Sequence, residues 1–463
     1  MATLTLATWS TNLTYLSLTP PVVDAAVKSI YNWAGCAIGG FAQAAPQIAL
    51  NVSLANGFNG PSTASILGLN GSLDKNGYGY ADAQLAALIN GIASHVDDYD
   101  DTHLASIIHP TGVVASALLA VSESQSLLRR EDPVSGPDFL TAFVAGIEAE
   151  LKLGLSVYPE HYDVGWHITS TTGAIGAAVG VSKLLGLDTE HTQHAIGIAS
   201  THVIGMQVFF GSMTKSFHIG RASQSGMLAA LLARDGYTSS LSALEDKYGW
   251  LHVVSTRENG TANLAELGQT WEIESNTFKP FPCGIVMHPI IDGCIQLRGQ
   301  AIAGGKPISV ESVQSIGLRV NPEVLVLTGQ TDPQTGLEGK FSIYHATAVG
   351  LLYGEATPAQ FTDEVVLNAT VIAMRKLVNV TTDDSVGEDQ AYVSITFGDG
   401  STLEKYVEHA IGSLDNPLTV DDLKNKFLEQ VSRQIGGSRA QKAYDAFTNI
   451  GKMTDVGKIK TLF

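Results

Sequence analysis

Residues 95–112, HVDDYDDTHLASIIHPTG, form the stretch around which the chain is organised. It holds three histidines and four aspartates in a protein in which only 16% of the residues are charged. An apolar run with helical spacing, 83–93, precedes it, and a second one, 113–128, follows. Titratable groups between apolar helices become partly buried, and burial moves their pKa values toward the range that proton transfer needs. The stretch therefore predicts a proton-transfer site between two helices.

The spacing within this stretch suggests a local geometry. If the incoming helix continues through residue 102, Asp98 and Thr102 lie at i,i+4 on one face, with His95 one turn before Asp98. His109 and Pro110 predict a break, with a new helix that begins near Pro110.

Two other interpretations of the stretch remain open. A solvated acidic loop explains the aspartates, but it explains neither the histidines nor the apolar flanks. A metal site has suitable carboxylate and imidazole ligands. However, the spacing matches no EF-hand loop, and the chain contains neither an HExxH nor a CxxC motif. We therefore predict that the chain binds no metal.

Composition restricts the partners and the location of the protein. The chain has 463 residues, which predicts about two or three domains. A formal net charge of -18 opposes binding to nucleic acid or to an anionic membrane surface.

No stretch approaches the roughly 20 uninterrupted apolar residues of a membrane span. Three cysteines give no disulfide framework, and the N-terminus lacks signal-peptide features. We therefore expect a cytoplasmic protein, with a mitochondrial location as the open alternative.

Hydrophobic periodicity predicts helices throughout the first 260 residues, which look all-α, with a loop over residues 50–80. The predicted helices in this part cover residues 20–44, 82–96, 110–128, 137–157, 167–186, 189–202 and 219–236.

The pattern changes after residue 262. β-Branched or alternating runs at 309–320 and 391–397, with a Gly-Asp-Gly turn at 398–400 and a return strand at 403–407, predict strands. Helices are expected at 289–301 and 362–378, and the helical pattern resumes from 418. We predict a mainly α fold, in which both chain ends (1–262 and 410–463) form a large all-α helical domain. An α+β lid domain, 263–409, is inserted between them.

Other stretches place titratable residues at helix starts. His167 opens an Ala/Gly-rich helix, where free backbone N–H groups favour anions and the neutral imidazole. Lys215, His218 and Arg221 are three residues apart, so on a helical turn they are expected to share a face that binds carboxylate or phosphate. His288 stands directly before Pro289. Capping or core-edge roles for the histidines, and a solvated basic edge for the cations, are the alternatives.

Two further positions are ambiguous. Cys283 is interpreted as a buried thiol, because no Cys-His-Asn signature surrounds it. Tyr344 and His345 begin another predicted helix and point in different directions, so only one of them is expected to line a given pocket. Packing of both at a domain edge is the alternative.

Taken in chain order, these motifs resemble the MmgE/PrpD family. They are DDYDDTH (97–103) with HPTG (109–112), GWHIT (165–169), MTKSFHIGRA (213–222), PCG with HP (282–289) and KFSIYH (340–345). The resemblance spans about residues 5–460. It implies a helical domain with an inserted lid, an active site between the two, a homodimer and no cofactor. The family includes 2-methylcitrate dehydratase, cis-aconitate decarboxylase and iminodisuccinate epimerase, so the implied substrate is a small di- or tricarboxylate.

The resemblance also implies site residues. The lid tyrosine of the decarboxylases aligns with His345 rather than with Tyr344, and one more residue separates Thr102 from His109 than in the animal decarboxylases. His109 is the expected proton carrier, oriented by Asp98 or Asp101, with His288 or His345 as the second. Carried over position by position, the resemblance places the active site at Asp98, Thr102, His109, His167, Lys215 and His288. With the candidates taken from the residues themselves, the expected catalytic set is Asp98, Asp101, Thr102, His109, His167, His288, Tyr344 and His345, and the expected substrate-binding set is His103, Lys215, His218 and Arg221.

The expected activity is that of a cofactor-independent lyase that works through a carbanion-like or enolate-like state. It either dehydrates a 2-methylcitrate- or alkylcitrate-type acid or decarboxylates a cis-aconitate-type acid. An epimerase of an iminodisuccinate-like acid and a non-catalytic, anion-binding homologue are the alternatives.

Overall fold

The computed structural model describes residues 1–69, 79–128, 133–257 and 261–463, and within them the chain is mainly α-helical. The α-helices, in chain order, are α1 (Ala2–Asn12), α2 (Pro20–Gly40), α3 (Ala44–Ala55), α4 (Ala83–His95), α5 (Pro110–Leu128), α6 (Gly136–Val157), α7 (Glu160–Asp163), α8 (Ile168–Leu184), α9 (Thr189–Ser200), α10 (Met213–Arg234), α11 (Trp250–Val254), α12 (His288–Ala303), α13 (Pro322–Thr328), α14 (Gly336–Gly339), α15 (Ile343–Tyr353), α16 (Asp363–Val366), α17 (Ala369–Arg375), α18 (Val420–Ile435) and α19 (Gly437–Thr448).

The strands form small sheets. They are β1 (Ala64–Ser65), β2 (Tyr80–Ala81), β3 (Asp101–His103), β4 (Asn276–Phe278), β5 (Val313–Val320), β6 (Val378–Thr382), β7 (Ala391–Phe397) and β8 (Thr402–Val407). β1 pairs with β2, and β3 pairs with β4. The four others form one sheet in the order β6-β5-β7-β8, in which only the β5–β6 pair is parallel.

Several helices begin at a residue whose side chain caps them. Asp82 accepts hydrogen bonds from the backbone N–H groups of Gln84 and Leu85 at the start of α4. Thr419 and Asp422 form a reciprocal capping box at the start of α18. Such side chains satisfy backbone donors that have no partner inside the helix. The starts of α4 and α18 are therefore fixed locally, whereas α8 and α10 begin without a side-chain cap.

Two hydrophobic clusters make up most of the core. The first takes residues from Ala2 to Ile273 and, in addition, residues from Leu423 to Ile459 near the C-terminus. The second takes residues from Phe281 to Phe397. Phe427 of α18 packs so closely on α2 that a Cβ atom on Gly35 would lie 2.8 Å from its ring. Both chain ends therefore share one core, while the domain boundaries at 262/263 and 409/410 remain a prediction.

Several sequence predictions are confirmed. α5 has the predicted bounds, β7 covers 391–397, and a tight turn joins β7 to β8. The helix predicted at 219–236 is also present as α10, but its predicted start was wrong: it begins at Met213, so that Lys215 and His218 both lie on it.

Other predictions were wrong. The first 260 residues are not all-α, because β1, β2 and β3 lie among them. The predicted loop at 50–80 begins with the last turns of α3, and its residues 70–78 lie outside the described part of the chain. The predicted helix 362–378 is instead two short helices, α16 and α17, followed directly by β6.

The predicted helix 82–96 is confirmed as α4, and the continuation through residue 102 that was considered for it does not occur. The helix ends at His95, and Asp98 has a left-handed backbone with φ +51°. Such a φ interrupts a right-handed helix. The chain then enters β3, whose partner is β4 from the other end of the helical region. Asp98 and Thr102 are therefore not on one helical face.

α4 and α10, which carry parts of the site, pack against each other through glycines. A Cβ atom on Gly91 would lie 2.6 Å from the Cα atom of Gly220. No side chain larger than hydrogen fits at such a distance, so the two glycines allow the backbones to touch. This contact brings Lys215 and His218 of α10 toward the chain that follows α4.

α5 is the one helix of the described residues that is long and apolar enough to cross a membrane by length and composition. However, 72% of that apolar stretch is buried inside the protein, as in an ordinary core helix.

Candidate active site

The connection from α4 to α5 gathers the titratable side chains of residues 95–109. After the left-handed turn at Asp98 and the short strand β3, the chain makes a tight hairpin. In it, the His103 N–H donates to the Ile108 carbonyl at 2.8 Å. Pro110 then starts α5. Each of His95, Asp98, Asp100, Thr102 and His109 is more than nine-tenths buried.

Asp98 is held between two lysines. Its Oδ1 accepts from the Lys215 Nζ at 2.9 Å and from the Lys279 Nζ at 2.7 Å. Burial alone would raise the pKa of Asp98, but the two ammonium groups outweigh it and hold this pKa well below its usual range. Two ammonium groups and one carboxylate leave one net positive charge at this point, which suits an anionic ligand. The Asp98 Oδ2 has no hydrogen-bond partner among the described residues.

The tautomer of His109 follows from its neighbours. Its Nδ1 lies 2.8 Å from the carbonyl oxygen of Asp101 and 3.0 Å from the Thr102 Oγ1. A carbonyl oxygen only accepts, so Nδ1 carries the proton and the lone pair of a neutral ring is on Nε2. Burial, with Lys279 nearby, holds the pKa of His109 well below its usual range. The ring is therefore neutral at pH 7 and able to accept a proton at Nε2.

His95 and Asp100 form a pair behind His109. The His95 Nδ1 donates to the Asp100 Oδ2 at 2.7 Å, and the ring centres of His95 and His109 are 4.8 Å apart. Burial would raise the pKa of Asp100, but the two histidines lower it to about 2. Sequence reasoning placed His95 only as a neighbour of Asp98 and did not single out Asp100. Both residues lie in the acidic stretch 95–112, so its composition alone could have indicated them as site residues.

A second pair of histidines faces the site from α8 and α10. The Nδ1 atoms of His167 and His218 are 3.0 Å apart, so one of them donates to the other. Burial holds the pKa of His167 well below its usual range and lowers that of His218 to about 4. The Nε2 of His167 is buried and has no partner among the described residues. His167 directly precedes α8, as predicted.

Of these groups, five line one cleft that is partly open to solvent: Asp98, His109, His167, Lys215 and Lys279. His95, Asp100 and His218 lie behind them and contact His109 or His167 or each other. The Lys215 ammonium lies 5.0 Å and 4.9 Å from the ring centres of Phe210 and Phe341, which places it between two aromatic faces. The cleft is lined by Asp98, Leu104, Ile107, His109, Tyr162, His167, Phe210, Lys215, Lys279, Gly284, Ile285, Val286, Leu327, Thr328 and Phe341.

Lys279 is a further site residue that sequence reasoning missed. It is buried, lines the cleft and holds Asp98 together with Lys215. It lies just after β4, the strand that pairs with β3, and only this pairing brings it to Asp98. The PCG motif given above begins only three residues later, at 282, but no local spacing connects residue 279 with residue 98.

Some predicted site residues lie behind or beside the cleft rather than on it. The Asp101 carboxylate does not line the cleft. Its Oδ2 accepts from the Asn276 Nδ2 at 2.6 Å and from the Thr111 hydroxyl. Burial, with Asp100 close by, raises the pKa of Asp101 to about 6. His288 lines an adjoining cleft, where burial, with Lys279 nearby, lowers its pKa to about 3.

Three other predicted residues lie further away. His103 contacts the hydroxyl of Ser106 and donates to the Glu272 carboxylate at 3.2 Å. The His345 Nε2–H donates to the Gln360 carbonyl at 2.9 Å. Tyr344 packs against the second hydrophobic cluster. None of His103, Tyr344 and His345 lines the described cleft, so their assigned roles remain predictions.

The expectation that Lys215, His218 and Arg221 share one face was wrong. On a helix with 3.6 residues per turn, each three-residue step falls about 60° short of a full turn. Lys215 and His218 still reach the site, but Arg221 is exposed and its guanidinium contacts Gln224.

His95, Asp98, Asp100 and His109 also bring ligand-type atoms within 4.8 Å of one another. A divalent cation here would lie beside the ammonium groups of Lys215 and Lys279, which repel it. One Asp98 oxygen already accepts from both of these groups. This donor set fits an ion-pair network better than a metal centre.

Most of the chain matches one protein family. Residues 4–262 match the MmgE/PrpD N-terminal domain, and residues 281–450 match the MmgE/PrpD C-terminal domain. The chain belongs to the MmgE/PrpD family. This result confirms the resemblance seen in the sequence motifs.

The relatives of the chain carry names of lyases. The cis-aconitate decarboxylase-like protein oryM of Aspergillus oryzae is 28% identical over 395 residues, 82% of each chain. The cis-aconitate decarboxylase of Mus musculus is 30% identical over 76% of this chain and 72% of its own. The 2-methylcitrate dehydratase of Escherichia coli is 22% identical over 74% of each chain. This member of the family is an enzyme of the lyase type.

Proposed function

We propose that this enzyme decarboxylates a small unsaturated tricarboxylate of the cis-aconitate type, with His109 as the proton carrier. One observation carries the proposal: a neutral His109 with an available Nε2 lines the same cleft as the Lys215–Asp98–Lys279 group. Proton transfer next to a carboxylate needs both a tuned acid/base and fixed positive charge. The likeness to decarboxylases over three quarters or more of the chain also supports it.

The residues of the site account for the steps. Lys215 and Lys279 hold carboxylates of the substrate, and the N-terminus of α8 at His167 offers backbone N–H groups to another. The negative charge of the bound substrate raises the pKa of His109, which then takes up a proton at Nε2. The carbon–carbon bond to one carboxylate breaks and carbon dioxide leaves. The electron pair that remains on the carbon skeleton accepts the proton from His109.

Dehydration of a citrate-type acid is the second candidate, and His167 is the observation that favours it. Dehydration needs one group that takes the proton α to a carboxylate and another that protonates the leaving hydroxyl. His109 and His167 both line the cleft, and the buried Nε2 of His167 has no partner among the described residues. Two histidines on one cleft satisfy this requirement.

We also propose that the enzyme needs no metal and works as a homodimer. The two lysines beside Asp98 supply the positive charge that a metal would otherwise provide. The homodimer rests on the family resemblance alone.

The proposal is tested with purified enzyme by measuring carbon dioxide release from cis-aconitate before and after chelation. The metal content of the same sample is determined by elemental analysis, and its mass by sedimentation. Release that survives chelation supports the proposed reaction without a metal. Activity that disappears on chelation and returns with one metal would contradict the metal-free mechanism. Water loss from a citrate-type acid, without carbon dioxide release, would select the second candidate.

A further inference from the structure

The hairpin of residues 103–108 ends directly before His109 and is closed by its own backbone. The His103 N–H donates to the Ile108 carbonyl at 2.8 Å, and the Ile108 N–H donates to the His103 carbonyl at 3.3 Å. Inside it, Ile107 has φ +54°, a left-handed conformation that β-branched residues rarely adopt. Strained residues persist where the surrounding structure holds them. Contacts from outside the hairpin therefore have to fix the backbone that leads into His109.

One such contact is made by the His103 side chain, which is buried but does not line the cleft. Its Nδ1 lies 2.7 Å from the Ser106 Oγ, inside the hairpin, and its Nε2 lies 3.2 Å from the Glu272 Oε2. The hydrogen bond with His103 is the main cause that lowers the pKa of Glu272 to about 2, so this carboxylate is ionised at pH 7. An ionised carboxylate only accepts, so Nε2 carries the proton. One imidazole ring therefore joins the hairpin to Glu272.

Glu272 is itself held by α6. Its other oxygen, Oε1, accepts from the Lys152 Nζ at 2.6 Å, and the Lys152 side chain is completely buried. One turn earlier on the same helix, the Glu148 carboxylate accepts from the backbone N–H of Glu272 at 3.2 Å. α6 thus fixes both the backbone and the carboxylate of residue 272, and this carboxylate in turn fixes His103.

The hairpin also packs directly on α6. A Cβ atom on Gly154 would lie 2.3 Å from the Ile108 Cδ1, so glycine is required for this approach. None of the residues that line the described cleft belongs to α6. Lys152 therefore acts on the site through the hairpin and not by touching a substrate.

We propose that His103 is a positioning residue. Through Glu272 and Lys152 it fixes the hairpin on α6, so that the Nε2 of His109 is held toward the bound substrate. This role replaces the direct substrate contact that the sequence led us to expect for His103. The inference rests on the proposed function, because it assumes that His109 carries the proton. A reacting group that is misplaced by about 1 Å can lose roughly 10²-fold in rate.

Two variants of His103 form a matched pair. The amide nitrogen of glutamine stands where Nε2 stands, so His103→Gln keeps a donor for Glu272. The amide of asparagine reaches only the position of Nδ1, so His103→Asn loses that donor. We expect kcat to fall at least about tenfold in His103→Asn with little change in KM, and to recover most of this loss in His103→Gln. Equal kcat values in the two variants, or a raised KM at wild-type kcat, would overturn the inference.

Two carboxylates test the next contact in the same way. Glu272 and Glu266 both lie near the Lys152 Nζ, at 2.6 Å and 3.5 Å, but of the two only Glu272 contacts His103. Glu272→Ala should lower kcat as His103→Asn does, whereas Glu266→Ala should leave it at the wild-type value. The double variant of His103→Asn with Glu272→Ala should lose no more than either single variant, because both break one connection. Losses that multiply would contradict a shared role.

A measurement without substrate separates this inference from the proposed function. NMR of enzyme with nitrogen-15-labelled histidine gives the pKa of His109, which burial holds below its usual range. A loosened hairpin admits water, so this pKa should rise toward about 6.5 in His103→Asn and stay low in His103→Gln.

If the pKa of His109 follows this pattern while no polycarboxylate is converted, the positioning role stands and the proposed reaction fails. If cis-aconitate is converted while His103→Asn keeps the wild-type kcat and the wild-type pKa of His109, the reaction stands and the positioning role fails.

Discussion

Asp98 determines the charge of the site, because it is the buried anion that two lysines share. Its folded pKa lies well below the unfolded value. Its ionisation therefore adds stability above the unfolded pKa, and this contribution is lost as the pH falls through the folded pKa. At pH 7 the contribution is fully present.

We predict that Asp98→Asn lowers the free energy of unfolding at pH 7 by about 3–5 kcal/mol, because it leaves two buried ammonium groups without their anion. Urea denaturation measures the change. The control is Asp24→Asn, which removes the exposed partner of Lys28 and should cost much less. Equal losses in the two variants would show that Asp98 is not a buried counter-ion.

His109 should take up a proton when a polycarboxylate binds. Its pKa in the free enzyme is below the usual range, and a bound anion raises it. At pH 7 the ring then changes from neutral to charged, so binding of a succinate is coupled to proton uptake. Calorimetry in buffers of different ionisation enthalpy measures this uptake. His109→Gln should abolish most of it, and an unchanged uptake in the variant would assign the proton to another group.

The sequence identified much of this site, for reasons that are local. Asp98 and His109 stand in one stretch, while His167 and Lys215 each lie at the start of a helix. Lys279 was missed because only the pairing of β3 with β4 brings it to Asp98. Arg221 was wrongly expected to face the site, because each three-residue step falls short of a full helical turn and residue 221 therefore lies on a different side of α10 from residue 215.

Three lysines that are far apart in the sequence hold the turn after α4, residues 97–99. Consecutive backbone carbonyls each face an ammonium group: the Asp97 oxygen accepts from Lys340 at 2.8 Å, the Asp98 oxygen from Lys279 at 3.4 Å and the Tyr99 oxygen from Lys426 at 2.6 Å. Lys340 and Lys426 both follow this turn in the sequence, 243 and 327 residues after their acceptors. These contacts hold the left-handed turn that aims Asp98.

We predict that Lys340→Met lowers kcat at least about tenfold with little change in KM, because the turn loosens while Lys215 and Lys279 still bind the substrate. The free energy of unfolding should fall by about 1–3 kcal/mol. Steady-state kinetics measures the first effect and urea denaturation the second. Lys376→Met, at an exposed position, is the control. A wild-type kcat in Lys340→Met would show that this contact does not position the site.

The elements that the sequence predicted well are those with strong periodicity or local caps, such as α5 and β7. The prediction failed where tertiary pairing overrides the local pattern. β3 has only three residues, and no periodicity distinguishes it from the end of a helix. The left-handed φ of Asp98 has no signal in the sequence other than the tolerance of aspartate for this conformation.

Across the whole molecule, α18 connects the C-terminal part of the chain to the core of its N-terminal part. Phe427 packs on Gly35 of α2, and Lys426 reaches Asn32 and Tyr99. The match to the family's C-terminal domain runs through residue 450 and so includes α18, although the side chains of this helix join the first hydrophobic cluster.

We predict that Phe427→Ala increases amide hydrogen exchange in α2 more than in β5 and β7. The substitution leaves a cavity in the first cluster, which costs about 3–5 kcal/mol. Phe397→Ala, in the second cluster, is the matched variant and should show the reverse pattern. Exchange measured by mass spectrometry separates the two. Faster exchange in β5 and β7 for Phe427→Ala would place α18 with the second hydrophobic cluster instead.

The most direct test of the proposed chemistry is proton NMR of the metal-free enzyme in deuterated buffer. Wild type and His109→Gln are each given cis-aconitate, 2-methylcitrate, longer alkyl derivatives of both, and iminodisuccinate. We predict loss of carbon dioxide with one solvent deuterium in the product, and a rate that is about 10²–10⁴-fold lower in His109→Gln. Equal rates in the two proteins, α-deuteration without net loss, or no conversion of any acid by the folded enzyme would contradict a lyase that uses His109.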